Sequence, residues 1–353
     1  MERARALVVI GASAGGIEPL SELVRNLPAD LPSALAVVVH TPAERESLIH
    51  KVIGRRAVLK TMQAQDNLPI REGNVYVAPP DYHLWIHDGR LRLLYGPREN
   101  GLRPAIDPTF RSAASAYGAR CVGVILSGMH DDGVAGLRFI KNSGGATIVQ
   151  DPAEAAFANL PQRAIEDVPV DHVCRIQDMA PLIVRLAQDR SKPMPTKRRP
   201  DPRGKEHGIE GEEGEVAREK ASFEEGGDAA IATALTCPDC GGTIWEFDDQ
   251  SVLQFRCHVG HVYSTDSFVD AQAKTVEVAL WTALRALEEK VMLLNRLATR
   301  TGEKGAKISS RHFEKAAKAV DEKIAVIRRA ITASAPAPAA TEAEEPVAGE
   351  AKD

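Results

Sequence analysis

The sequence is poor in the features that mark membrane and nucleic-acid-binding proteins. Its 353 residues contain no apolar run that approaches the roughly 20 residues of a membrane-spanning helix. Aromatic residues make up only 5%, which leaves few side chains to stack on bases. The 44 Lys and Arg residues against 49 Asp and Glu residues give a formal net charge of −5, so the whole chain has no excess of positive charge for a polyanion. We therefore expect neither a membrane span nor a nucleic-acid partner.

Cysteine is also scarce, and the N-terminus lacks a complete export signal. The chain has five cysteines, which are too few for a disulfide scaffold, and an odd number cannot all be paired within one chain. The first residues, MERARALVVIGASAGG, are basic and then apolar. Their apolar run is only about five residues, shorter than a signal-peptide core, and leads directly into a glycine turn. We interpret it as a first strand and expect a cytoplasmic protein.

Changes in composition predict the domain organisation. Large apolar side chains are nearly absent from 189–232, where a basic, proline-containing block precedes an acidic, glycine-containing block. Such a segment buries too little surface to offset its ordering entropy, so we predict a disordered linker. The Ala, Pro and Glu composition of 333–353 predicts a disordered tail. Between them we expect a large domain at 1–188 and a C-terminal module, divided at 265 into 233–265 and 266–332.

Short apolar runs alternate with helical patterns in the large domain, which predicts an α/β fold. We expect a doubly wound, mostly parallel sheet between two helical layers, with a β-hairpin turning at Asp88-Gly89. The predicted strands lie at 7–10, 34–39, 75–78, 121–126 and 146–149, and the helices at 15–25, 44–54, 107–117 and 133–142. Functional sites in such sheets form at the carboxyl ends of the strands.

Polar residues follow three of these strands and together suggest a nucleophile, a general base and a carboxylate that orients the base. Ser13 follows the first strand, His40 follows the second, and Asp131 and Asp132 follow the strand at 121–126. A serine hydroxyl becomes a useful nucleophile when a histidine takes its proton and a carboxylate orients that histidine. The small residues around Ser13 suit a sharp turn into a helix, whose free amides can stabilise an oxyanion.

Each of these residues has an alternative explanation. A glycine-rich first turn more often binds a phosphate, although neither G-x-G-x-x-G nor a P-loop pattern is present. His40 could be a hydrogen-bonded histidine at a strand end, and Asp131 or Asp132 could cap the helix that begins near Gly133. The shared position of these residues at strand ends is what favours a catalytic site.

Five segments in order resemble the CheB-type chemotaxis methylesterase catalytic domain. They are GASAGG at 11–16, VHTP at 39–42, RPAIDPTFRSAA at 103–114, LSGMHDDG at 126–133 and QDPAEAAFANLP at 150–161. The resemblance covers about residues 1–186 and implies a Ser-His-Asp triad on a doubly wound sheet. It also implies hydrolysis of glutamate methyl esters on chemoreceptors, deamidation of glutamines as a second reaction, and no cofactor for catalysis.

The resemblance also implies a role for individual residues. It makes Ser13 the nucleophile, His40 the general base and Asp132, rather than Asp131, the orienting carboxylate. Met129 and the backbone N–H of Ala14 would hold the oxyanion. Two positions depart from the family pattern: Ala14 stands where threonine is usual, and His130 replaces a glycine beside the oxyanion site. If that glycine is needed for a positive φ, His130 is strained.

The regulatory part of the family pattern is missing from this sequence. Chemotaxis members usually carry an N-terminal receiver domain, whereas this sequence starts at the catalytic strand. We therefore expect other regulation, and partners that are methylated chemoreceptors or related signalling proteins, with a cognate receptor methyltransferase system. The alternative is a signalling adaptor that uses the esterase fold with little turnover.

The C-terminal module combines a metal-binding pattern with two helical patterns. Cys237 and Cys240 form a C-x2-C knuckle, and Cys257 and His261 follow as C-x3-H, a spacing close to that of zinc ribbons. His258 is adjacent to Cys257 and would point elsewhere, so we favour His261 as fourth ligand of a structural zinc. Small buried cysteines in a β-hairpin are the alternative.

Two apolar stripes, 276–294 and 313–331, predict an α-helical hairpin joined near 302–307. Each stripe can pack on the other, and a homodimer through these helices is the alternative. The module resembles an extension found on some stand-alone CheB-like proteins, for which no chemistry is implied.

Overall fold

The computed structural model describes residues 4–41, 47–55, 57–191, 231–249 and 252–333. The chain divides into two compact units, residues 1–271 and 272–353. Most of the predicted linker at 189–232 and, apart from Ala333, the predicted tail lie outside the described residues. Within the described ranges, no helix combines the length and hydropathy needed to cross a bilayer.

A seven-stranded parallel sheet forms the centre of the first unit. Its strands are β1 (Ala6–Ala12), β2 (Ser33–Val39), β3 (Lys60–Gln63), β4 (Asn74–Val77), β7 (Cys121–Ile125), β8 (Ala146–Gln150) and β9 (His172–Cys174). The spatial order is β3-β4-β2-β1-β7-β8-β9, which places β1 between β2 and β7. Ala12 pairs with Val39 and Gly11 with Ile125, so these three central strands end at the same edge. This confirms the predicted fold class and brings the segments after the three strands together.

Helices cover both faces of this sheet. One apolar cluster joins it to α1 (Ile17–Arg25), α2 (Ile49–Gly54) and α6 (Ile176–Ser191). Another joins the opposite face to α3 (Ile106–Tyr117), α4 (Val134–Asn142) and α5 (Asn159–Asp167). Strands β1, β2, β7 and β8 are buried along their whole length, as expected for a sheet covered on both faces. The sheet is thus a rigid platform for the groups at its edge.

A β-hairpin of β5 (His83–His87) and β6 (Arg90–Leu94) lies outside the main sheet. Its two turn residues, Asp88 and Gly89, have φ of 51° and 67°. Positive φ at both positions is typical of the tight turn that suits the twist of a hairpin.

The strands that the sequence did not reveal are the two at the edges. Strand β3 has the sequence KTMQ and is partly exposed, while β9 has only three residues and is also partly exposed. Neither contains a continuous apolar run, because an edge strand is not enclosed on both sides. The predicted helix at 44–54 is observed as α2, with residues 42–46 outside the described part.

A small antiparallel sheet completes the first unit. It consists of β10 (Ile231–Thr236), β11 (Thr243–Asp249), β12 (Val252–Cys257) and β13 (Val262–Ser264), paired in chain order. Phe268 stacks on Phe255 with ring centroids 4.7 Å apart and also contacts Tyr263. We refer to residues 231–264 as the ribbon.

Two long helices follow the ribbon. Helix α7 (Thr265–Glu303) begins in the first unit and continues into the second, where it is followed by α8 (Lys307–Ala333). Leu284, Val320 and Ile324 form the buried cluster of the second unit, supported by other members of the two predicted stripes. Gly305, with φ of 77°, lies in the turn between the helices.

Candidate active site

The three central strands deliver a serine, a histidine and an aspartate to one edge of the sheet. The Nδ1 atom of His40 lies 2.9 Å from Ser13 Oγ, and its Nε2 atom lies 2.7 Å from Asp132 Oδ2. The exposed fraction is 11% for the His40 side chain and 1% for Asp132. In this arrangement Nε2–H donates to the carboxylate, and Nδ1 can accept the serine proton. Asp131 is not part of this chain, since its Oδ1 accepts a hydrogen bond from Ser264 Oγ at 2.5 Å.

Asp132 is held by donors from several directions. Its Oδ2 also accepts a hydrogen bond of 2.6 Å from the backbone N–H of Ile106, and its Oδ1 accepts one of 2.8 Å from the Asn100 Nδ2 group. Burial alone would raise the pKa of Asp132, but the hydrogen bond and charge of His40, with the donors Ile106 and Asn100, hold that pKa below its ordinary value. The carboxylate therefore stays ionised and fixed beside the imidazole.

The turn that carries Ser13 depends on close backbone packing. A Cβ on Gly128 would lie 2.9 Å from Ser13 Cβ and 2.7 Å from the side chain of Leu160, so only glycine fits there. Ser127 Oγ donates to the carbonyl of Ala14 and accepts the N–H of Phe157, both at 2.9 Å. These contacts fix the loop after β7 against the turn after β1.

The two residues expected to hold an oxyanion, Ala14 and Met129, lie in these same two loops. Among the described residues, the backbone N–H groups of Ala14 and Met129 donate to no other protein group. Next to Met129, His130 adopts φ of 61°, a left-handed conformation that is uncommon for residues other than glycine. Its Nδ1 lies 3.0 Å from Asp270 Oδ2, so a contact with the first turns of α7 accompanies this conformation.

Sequence reasoning missed two residues of the site, Asn100 and Asp107. Asp107 is buried, and its Oδ1 accepts the N–H groups of Gly133 at 3.1 Å and Gly136 at 2.7 Å, so it caps the start of α4. Burial and then the nearby charge of Asp132 raise the pKa of Asp107 well above its usual value. The dipeptide Asn100-Gly101 signals a tight turn, but no sequence pattern shows that this turn meets Asp132.

The four residues with metal-ligand spacing also come together. One ligand atom from each of Cys237, Cys240, Cys257 and His261 lies within 4.8 Å of all the others. Cys240 Sγ is 3.6 Å from Cys257 Sγ, and His261 Nδ1 is 3.7 Å from Cys237 Sγ. A tetrahedral zinc with ordinary Zn–S and Zn–N bonds would require separations of about 3.5–3.8 Å. The cluster could therefore bind a metal ion.

Two glycine turns shape this cluster. Gly241 N–H donates to the Cys237 carbonyl at 2.8 Å, and Gly260 N–H donates to the Cys257 carbonyl at 3.0 Å. Their φ values, 72° and 104°, are ones that favour glycine. His258, which the sequence pattern did not favour as a ligand, is exposed on the second turn and is not in the cluster.

The chain is similar to one known family and to individual members of it. The sequence profile of the CheB methylesterase family matches residues 8–183. A Leptospira interrogans protein, provisionally named protein-glutamate methylesterase/protein-glutamine glutaminase, is 38% identical over 183 residues, covering 52% of this chain and 95% of the relative. An Anaeromyxobacter dehalogenans protein-glutamate methylesterase/protein-glutamine glutaminase is 39% identical over 173 residues, covering 49% of this chain and 51% of the relative. These names are those of hydrolases, and they give no support to the adaptor alternative.

A solved structure is also similar to this chain. It is the CheB methylesterase catalytic domain of Thermotoga maritima, with 31% sequence identity and a TM-score of 0.49. The match covers 51% of this chain and 98% of that domain. The family profile ends at residue 183, so the ribbon and the two long helices are outside the family match.

Proposed function

Because the chain belongs to the CheB methylesterase family, we propose that it hydrolyses methyl esters of glutamate side chains on proteins. The supporting observation is the hydrogen-bonded series Ser13–His40–Asp132, with separations of 2.9 and 2.7 Å. A hydroxyl, an imidazole and a buried carboxylate in this order are the groups that acyl transfer needs. In this proposal Ser13 is the nucleophile, His40 the general base and Asp132 the group that orients the imidazole.

The reaction has two steps. Ser13 Oγ attacks the ester carbonyl while His40 Nδ1 takes the serine proton, and the backbone N–H groups of Ala14 and Met129 stabilise the oxyanion. His40 then gives the proton to the departing methoxy group, and methanol leaves. In the second step His40 takes a proton from water, which attacks the acyl-serine ester. His40 then gives this proton to Ser13 Oγ as the acyl bond breaks, which releases a glutamate side chain and restores Ser13. Deamidation of glutamine follows the same course with ammonia as the leaving group.

Methanol release tests this function. The full chain is incubated with a methylated receptor fragment, and methanol is measured over time for wild type, Ser13→Ala and Ser21→Ala. We expect Ser13→Ala to lose about 10³-fold or more of the rate. Ser21→Ala is the matched control, because this hydroxyl only donates to the carbonyl of Ile17 within α1. Equal release by wild type and Ser13→Ala would contradict the triad, and release by none of the three would contradict the enzyme.

We propose further that the cysteine and histidine cluster holds a structural zinc. Three thiolates and one imidazole leave no position open for substrate, and closed sites of this kind are structural. Cys237, Cys257 and His261 contribute from two glycine turns, and the exposed Cys240 completes the set. The zinc would contribute folding energy to the ribbon, and no catalytic step passes through it.

Methylated chemoreceptors or related signalling proteins are the partners that this chemistry implies. Their glutamate methyl esters are made by a methyltransferase, so a cognate methyltransferase system is expected in the same cell.

A cytoplasmic location and a homodimer through α7 and α8 stay predictions. Val278 and Trp281 on α7 are 65% and 52% exposed, so apolar surface is available for such a dimer.

A further inference from the structure

One turn of the first unit connects the catalytic carboxylate to the C-terminal part of the chain. Glu99 and Leu102 exchange backbone hydrogen bonds of 3.2 and 2.9 Å around Asn100 and Gly101. Asn100 and Gly101 have φ of 54° and 72°, a conformation that asparagine tolerates better than most other residues. The turn thereby directs the amide of Asn100 toward Asp132.

All four hydrogen-bonding positions of the Asn100 amide are used. Its Nδ2 donates to Asp132 Oδ1 at 2.8 Å and to Asp107 Oδ2 at 3.1 Å. Its Oδ1 accepts the backbone N–H of Ser264 at 2.8 Å and the hydroxyl of Ser267 at 2.9 Å. The carboxylates thus meet the donor side of the amide, and the two serines meet its acceptor side. A rotation of the amide would break bonds on both sides at once.

The serines belong to the junction between the ribbon and α7. Ser264 ends β13, and its Oγ accepts the N–H of Ser267 at 3.2 Å, as a helix N-cap does. The ribbon also holds the backbone of the turn, since Asn100 N–H donates to the Val262 carbonyl at 2.7 Å. On the other side of the turn, Arg111 of α3 pairs with the Glu99 carboxylate at 2.8 Å. Asn100 is therefore held between the catalytic domain and the ribbon.

We propose that Asn100 is a positioning residue for the catalytic carboxylate Asp132, and that Ser264 and Ser267 of the C-terminal module hold Asn100 in place. The proposal rests on the hydrolysis proposed above. The four bonds of the Asn100 amide go to residues other than Ser13 and His40, so it acts on the reaction through Asp132 and then His40. The ribbon and the start of α7 would then be a working part of the hydrolytic site, although they lie outside the family match.

Other contacts of the same segment support this role. Ser264 Oγ donates to Asp131, the neighbour of Asp132, at 2.5 Å. Further along α7, Asp266 pairs with Arg163 of α5 at 2.5 Å, and Asp270 pairs with His130 at 3.0 Å. Residues 264–270 therefore border the site both at its carboxylate and beside Met129. Surface ion pairs of this kind contribute little energy, so the partly buried amide of Asn100 is the contact that matters most.

The first test compares steady-state methanol release by full-length variants. We expect Asn100→Ala to lower kcat roughly 10- to 100-fold, because a buried carboxylate loses a hydrogen bond, with KM little changed. Ser267→Ala should lower kcat by about 3- to 10-fold, since the amide remains but loses one of its anchors. Ser310→Ala is the matched control: its hydroxyl donates to the Ala298 carbonyl in the second unit, and we expect wild-type kcat.

The double variant separates positioning from a general effect on the fold. If Ser267 acts through Asn100, Asn100→Ala with Ser267→Ala should be no slower than Asn100→Ala alone, within about twofold. Asn100→Ala could lower kcat simply because the turn no longer folds. Asn100→Asp controls for this, because it keeps the side-chain oxygen that accepts from the two serines and removes only the N–H donor. We expect it to lower kcat as Asn100→Ala does. Independent losses that multiply in the double variant, or unchanged kcat in Asn100→Asp, would overturn the proposal.

A second measurement does not depend on activity. The proton between His40 Nε2 and Asp132 should give a low-field proton NMR signal, identified by its absence in His40→Ala. We expect this signal to shift or disappear in Asn100→Ala, to shift less in Ser267→Ala and to stay in Ser310→Ala. If wild type released no methanol, the proposed hydrolysis would fail separately, and this signal would still decide the role of Asn100. An unchanged signal in Asn100→Ala would overturn the proposal.

Discussion

The seven-stranded sheet and the ribbon are both β-structures of the first unit, yet they differ in what can stabilise them. Strands β1, β2, β7 and β8 are buried over their full length, and apolar clusters lie on both faces of their sheet. The buried cluster of the ribbon contains only Cys237, Ile244, Phe255, Cys257, Tyr263 and Phe268. Two of these six are cysteines of the proposed zinc site. Apolar burial can stabilise the sheet, whereas we expect the ribbon to depend on an additional source of folding energy.

The same difference appears in how the two regions contribute to the site. The sheet supplies Ser13, His40 and Asp132 directly, from the ends of three adjacent strands. Among the described residues the ribbon supplies no group to that series, and its hydrogen bonds lead to Asp132 through Asn100. The sheet therefore carries the three candidate catalytic groups, while the ribbon contacts one of them through Asn100.

Removal of the metal should have the largest effect on stability, and the loss of folded structure should be confined to the ribbon. Structural zinc contributes about 10 kcal/mol or more to small sites, so a strong chelator should unfold the ribbon. We expect fast amide hydrogen exchange in β11 and β12 and continued protection in β1 and β7, measured by mass spectrometry. His261→Ala should lower the zinc content and reproduce this exchange pattern, and His258→Ala should resemble wild type. Protection of the ribbon amides in metal-free protein would contradict the proposed difference.

Truncation of a core aromatic should have the next largest effect, on the sheet. Phe110 of α3 is fully buried, so Phe110→Ala should lower the free energy of unfolding of the sheet by about 3–5 kcal/mol. Phe268→Ala removes the aromatic packed on Phe255 in the ribbon. We expect it to weaken zinc binding and to leave the main unfolding transition of the sheet nearly unchanged. Calorimetry and zinc titration of both variants measure this, and a large loss of sheet stability in Phe268→Ala would show that the two regions unfold together.

The smallest expected effect lies at Asp131, where the two regions meet. Burial, with the charges of Asp266 and Asp132, raises the pKa of Asp131 from 3.8 to about 6. The contribution of Asp131 to the free energy of unfolding is fully present below pH 3.8, where the carboxyl is protonated in both the folded and the unfolded protein. It is lost as the pH rises through about 6, because the folded protein must then hold a charged carboxylate at this site. Asp131→Asn should therefore be more stable than wild type at pH 8, by about 1–3 kcal/mol, and nearly equal to it at pH 4.

Denaturant unfolding at the two pH values tests this expectation. Gln162→Ala, a replacement of one neutral side chain by another on the exposed face of α5, is the control and should show the same difference from wild type at both pH values. A difference between wild type and Asp131→Asn that did not change with pH would show that Asp131 is not held in a buried, charged state.

The sequence alone was sufficient for the core of the fold and for the candidate groups. Continuous apolar runs such as Leu7–Ile10 predict strands of a covered sheet, because burial on both faces demands them. The residue directly after such a strand must lie at the sheet edge, which is why Ser13 and His40 could be named as candidates. The C-x2-C and C-x3-H spacings predicted the cysteine and histidine cluster for a similar local reason, since a knuckle turn sets the direction of two side chains at once.

Only the tertiary structure decided the remaining features. Edge strands β3 and β9 lack an apolar signature, and the register of β1 with β2 and β7 determines that the three strand ends coincide. The pairing of Asn100 with Asp132 and with Ser264 joins residues far apart in sequence, through one turn and one helix start. Local sequence determines conformation over a few residues, whereas such contacts depend on how whole elements pack. The sequence by itself therefore predicted the candidate groups, and the fold decided which residues contact them.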